Sequence, residues 1–119
     1  MTIREIIEHI DENKPNAYSD KQKLHWIALL DGKIAADLMM MAPEEIRNLF
    51  DYKYPEDMER EPLITFPHDD IYPAWLECKI DREDHEDSRY QNSVAVYNAI
   101  WEDFACWFLN NYDPAQYGR

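Results

Sequence analysis

The acidic run Asp81, Glu83, Asp84, His85, Glu86, Asp87 is the first place to look for chemistry, because carboxylates and an imidazole crowd into one short turn. A calcium loop needs ligands at alternating positions and a glycine at its sharp bend, and this run has neither. Its carboxylates diverge, which is how a solvated turn reads. His68 beside Asp69 and Asp70 has the composition of half a metal or acid–base site, but two acids ahead of a helix are also what helix capping requires. A small metal-dependent enzyme would need His68, Asp69 and Asp70 to converge with the turn acids. His9 and His25 stand alone on separate helical segments and are expected at the surface. Ser19, Ser88 and Ser93 read as caps or polar helix positions, with no base in view to activate them. Cys78 and Cys106 lie in apolar helical patterns and in no electropositive motif, so they read as small buried hydrophobes; one disulfide between core helices would be possible but unneeded. With 2 glycines in the whole chain, phosphate-cradling loops are excluded for practical purposes. The expectation is no catalytic residue, no metal and no cofactor, which leaves an interaction protein as the default.

Length and charge narrow the setting. A chain of 119 residues makes one domain, 1–119, with room for a real core. A net charge of −13 argues against a surface for nucleic acid or for an anionic membrane, both of which demand clustered Lys and Arg. No run approaches the length needed to span a bilayer, and Met1 leads straight into a charged amphipathic segment rather than a signal peptide. A cytoplasmic origin is expected.

The elements that must position any site are helical. Tyr90, Val94, Tyr97, Trp101, Phe104 and Phe108 follow at steps of four and three, the stripe of one long helix between Ser88 and Tyr112. Ile100 and Trp107 widen it, and it reads as the spine of the core with Ser88 as its cap. Ahead of it, Thr2 with Glu5 opens a first helix over 2–13, whose inner face is Ile3, Ile6, Ile7 and Ile10. Pro15 breaks that helix. Ser19, with Gln22, opens a second that runs through Leu24, Ile27, Leu30 or Asp31, Ile34 and Leu38 to Met41. Gly32 lies within it, where a glycine often marks close approach of another backbone. Pro43 to Phe50 forms a further turn or two. Residues 51 to 67 read as a long ordered loop, with Leu63-Ile64-Thr65-Phe66 as a possible short strand. Asp69 or Asp70 caps the next helix, with Pro73 in its first turn and Trp75, Leu76, Lys79 and Ile80 on its face. A short connection should set the last two helices antiparallel. The architecture expected is all-α, a bundle of about four main helices with one long irregular loop ahead of the last two. The candidate partner contacts are Tyr52, Tyr54, Leu63, Ile64 and Phe66 on the loop and Tyr117 in the tail.

Several phrases in order carry a resemblance. Lys14-Pro15-Asn16-Ala17-Tyr18 runs into Leu30-Asp31-Gly32 and then Pro67-His68-Asp69-Asp70-Ile71-Tyr72. Trp75-Leu76-Glu77 follows with Ile80-Asp81, and finally Arg89-Tyr90-Gln91-Asn92-Ser93 with Tyr97-Asn98-Ala99. Together they resemble the small head-to-tail connector, adaptor or head-completion proteins of tailed bacteriophages and prophages, over most of the chain. The family often has tyrosine at His68, alanine at Cys78, asparagine at Gln91, phenylalanine at Tyr97 and a glycine in the turn after Asp81, so the turn's role here is open. The resemblance implies a non-enzymatic helical subunit that assembles into a ring beneath the portal, extends the DNA channel and offers a docking surface to the next connector or the tail. Its setting would be the host bacterial cytoplasm during assembly and then the virion. An acidic channel wall would let DNA slide without adhering. The alternative from charge alone is an acidic regulatory protein that occupies a basic partner.

Overall fold

A computed structural model describes residues 1–111, so Tyr117 and the tail candidates lie outside the described residues. Five α-helices and no strand occur among them: α1 (Ile3–Asn13), α2 (Asp20–Asp37), α3 (Pro43–Phe50), α4 (Ile71–Glu83) and α5 (Asp87–Asn111). None of these helices is long and apolar enough to cross a membrane.

The first two helices start as their sequences dictate. Thr2 accepts from the Glu5 amide while Glu5 reaches back to the Thr2 amide, a complete capping box. Ser19 Oγ accepts from the Gln22 amide at 3.1 Å. α2 runs unbroken through Gly32, and a Cβ there would meet only the Ile46 side chain, at 3.6 Å. The glycine therefore does not serve a close backbone approach. α2 also stops earlier than its apolar pattern, at Asp37, because the chain turns through Met40 in the left-handed region (φ 53°). Met39 is consequently buried as a plug rather than carried on the helix.

Two expected caps are corrected. Asp70 occupies the position before α4 but has helical dihedrals (φ −63°, ψ −13°), which aim its side chain away from the orphan amides, and it makes no capping bond. Asp69 instead pairs with the Met1 amine at 3.1 Å. Backbone bonds do the capping: Ile71 N–H donates to the His68 carbonyl and Tyr72 N–H to that of Asp69. α5 begins at Asp87, so Ser88 lies within its first turn, and His85 takes the left-handed position (φ 58°) that a glycine ordinarily fills in the turn before it.

α4, not α5, is the centre. It packs on α1, α2 and α5, and its Ile71, Tyr72, Leu76 and Ile80 are fully buried. Facing them are Ile3, Ile6, Ile7 and Ile10 of α1 with Leu24, Ile27, Leu30 and Ile34 of α2, all in one core cluster. Trp75 Nε1 ties α4 to α2 by donating to the Trp26 carbonyl at 2.8 Å. α5 spans about 37 Å at 1.5 Å per residue, close to the 41 Å long axis of the molecule. Among the described residues its only helical neighbour is α4, and no other described helix covers the rest of its stripe. Ser93, Phe104 and Phe108 are buried, whereas Tyr90, Val94, Tyr97, Ile100 and Trp101 are half-buried. The expected spine is thus a flanking strut. Trp75 meets Tyr97 and His68 meets Phe104, so numbers fall along one element as they rise along the other, which makes α4 and α5 antiparallel.

Candidate functional site

Asp31 is wholly buried on α2, and its two carboxylate oxygens collect three donors. Tyr52 Oη and the Leu63 amide donate to Oδ2, at 2.5 and 3.1 Å. Tyr72 Oη donates to Oδ1 at 2.5 Å while accepting from the Ile64 amide at 2.8 Å. Burial pushes the Asp31 carboxyl up; the bonds from Tyr52, Tyr72 and Leu63 and the field of Arg60 pull the other way. Burial and the adjoining Asp31 charge raise both tyrosine hydroxyls well above their ordinary value. Arg60 closes the cluster by stacking over the Tyr52 ring at 4.8 Å. This network pins the 51–67 segment to the core from both ends. The sequence carried a trace of it, a charged residue in the apolar stripe of α2, but the tyrosines that complete it come from two distant segments.

That clamp corrects the expected contact set. Tyr52 and Ile64 are buried at 7% and 5% exposure and hold the loop inward, so they present nothing to a partner. Leu63 is half-buried, Tyr54 is 45% exposed and Phe66 is 85% exposed. Phe66 stands beside α5: a cleft of about 100 Å³ is lined by Phe66, Pro67, His68, Phe104 and Trp107. Trp107 and, further along α5, Leu109 are also exposed. Phe66 and Trp107 therefore form one exposed apolar patch between the loop and the C-terminal half of α5, whereas Leu109, about 200° further round the helix, faces another way.

The residues considered for chemistry are dispersed. The His68 ring packs on Trp107 at 4.6 Å and Phe104 at 5.7 Å, an aromatic contact with α5. In the acidic run, Asp81 is buried against Lys14 Nζ at 2.7 Å, whereas Asp84 accepts from Tyr18 Oη at 2.6 Å and lifts that hydroxyl to about 12. No group of three or more His, Cys, Asp or Glu among the described residues converges on a metal position. His9 and His25 are exposed, and Ser93 Oγ donates to the Tyr90 carbonyl. Both cysteines are free thiols; Cys78 is buried, but Cys106 is exposed, contrary to the expectation from its apolar flanks. It sits on the open side of α5.

Compared with models of known protein families, with curated proteins and with solved structures, the chain matches none.

Proposed function

We propose that this protein is a non-enzymatic assembly subunit of the phage head-to-tail connector type, binding the portal ring and extending its DNA channel. The observation that carries this reading is the exposed Phe66 beside the exposed Trp107, with the loop that bears Phe66 clamped from within by Asp31. Large apolar side chains gathered at the surface mark a protein contact more often than a small-molecule site. The clamp prepays the ordering of the loop, so docking costs little conformational entropy. The resemblance of the motifs from Lys14 to Ala99 supplies the partner, a portal ring first, then neighbouring copies and the next connector or tail protein. The net charge of −13 suits a wall along which DNA moves without adhering. Assembly would proceed in the host bacterial cytoplasm and end in the virion.

The test is light scattering coupled to size exclusion, with the chain alone and with the portal protein encoded beside it. A ring-sized species or a co-eluting complex, lost in Phe66→Ser and Trp107→Ser variants that keep their helical circular dichroism, supports the reading. A chain that stays monomeric and never binds portal overturns it. Strongly salt-dependent capture of a basic protein through the acidic surface would favour the regulatory alternative instead.

A further inference from the structure

In a chain with 25 acidic and 12 basic residues, one cavity wall has the opposite character. Lys33 of α2 and Lys79 and Arg82 of α4 line a cavity of about 240 Å³ that no aspartate or glutamate among the described residues lines. Trp75, Lys79 and Arg82 follow at steps of four and three, so α4 presents them on a single face. Trp75 holds both lysines: the Lys79 ammonium lies 4.5 Å from its ring centroid and that of Lys33 5.6 Å. Tyr97, 5.3 Å from Trp75, and Tyr90 close the α5 side. Among the described residues none of the three cations forms an ion pair, although Lys14, Lys23 and Lys53 all do. Burial, then the nearby charges of Lys33 and Arg82, hold the Lys79 ammonium below its ordinary range; Glu83 opposes them more weakly. The cluster is thus an electrostatic arrangement that an anion would complete.

We propose that this cavity binds the phosphate group of a small phosphomonoester, with Lys33, Lys79 and Arg82 on the phosphate oxygens and the organic part along Trp75 and Tyr97. A dianion matches three converging cations better than a monocarboxylate does, and an arginine fork beside lysine point charges is a common phosphate-binding set. The cavity is larger than a bare phosphate and too small for a drug-sized ligand, which sets the size of the organic part. The site uses the half of α5 away from the Phe66–Trp107 patch, so it stands apart from portal docking.

The experiment is titration of the full chain with inorganic phosphate, adenosine monophosphate, phosphoserine and, at matched ionic strength, sodium glutamate, followed by backbone amide shifts and calorimetry. Saturable shifts confined to 75–82, 90–98 and the α2 turn around Lys33 are expected with the phosphate compounds. The tightest of these identifies the source of the phosphate. Lys79→Gln and Arg82→Gln should each weaken binding about tenfold, while Lys53→Gln, in the distant loop, should leave it unchanged. Binding of glutamate as tight as phosphate, shifts elsewhere, or affinity indifferent to Lys79→Gln and Arg82→Gln in folded variants overturns the proposal.

Discussion

Tyr72→Phe removes one oxygen from the middle of the molecule and leaves the ring and its packing in place. That oxygen does two jobs, donating to Asp31 Oδ1 at 2.5 Å and accepting from the Ile64 amide at 2.8 Å. Tyr72 is fully buried, so water cannot replace either partner. A bond to a charged group is worth about 1.5–3 kcal/mol and a stranded buried N–H costs about 1–3 kcal/mol, so the substitution should destabilise by about 3–5 kcal/mol. That is a large part of the 5–15 kcal/mol, roughly, that holds a domain folded. In urea the unfolding midpoint should fall by about 2 M at an unchanged slope, and Tyr54→Phe, on a half-exposed ring, should not move it. Native-state hydrogen exchange adds a local readout: the Ile64 amide should lose protection before the α1–α2 core does. A midpoint shift under about 0.5 M would refute the reasoning, because the clamp would then contribute no more than an exposed hydrogen bond.

Other consequences follow from the same structure. Because burial raises the Asp31 carboxyl, its protonated form is the one folding favours; the stability it contributes is complete below the ordinary value of 3.8 and is lost as pH rises through the raised one. Urea midpoints measured upward from about pH 4 should show that decline, and Asp31→Asn should flatten it. Gly32→Ala should stabilise by about 1 kcal/mol in thermal or urea melts, since the helix gains propensity and the new Cβ meets Ile46 at an ordinary 3.6 Å. Phe104→Ala should cost about 3–5 kcal/mol, and Trp101→Ala distinctly less, because Phe104 is buried and Trp101 only half so. In a thiol titration, Cys106 should react in the native protein and Cys78 only after unfolding, since Cys78 is buried and its thiol pushed up by desolvation.

Local chemistry was legible in the chain. The capping box at Thr2 and the cap at Ser19 need only residues within one turn, so sequence alone determined where α1 and α2 begin. The helical periods of Ile3–Ile10 and of the Tyr90–Phe108 stripe likewise determined an all-α class. What a period cannot say is how much of an apolar face another element covers. α5 carries the richest stripe yet sits at the edge, while α4, with a proline in its first turn and charges through its second half, is enclosed on three sides. The same limit governed the loop. Tyr52, Ile64 and Phe66 look alike in a polar, proline-rich segment, but Asp31, twenty-one residues before Tyr52, draws Tyr52 inward, Tyr72 on the same carboxylate holds the Ile64 amide, and Phe66 is left outside. The cationic cavity on Trp75 was invisible for a related reason: its three charges come from two helices and are diluted by a net −13 when the chain is read in line. Contacts within a turn are written in neighbouring residues, whereas burial and charge clustering exist only once distant segments are brought together.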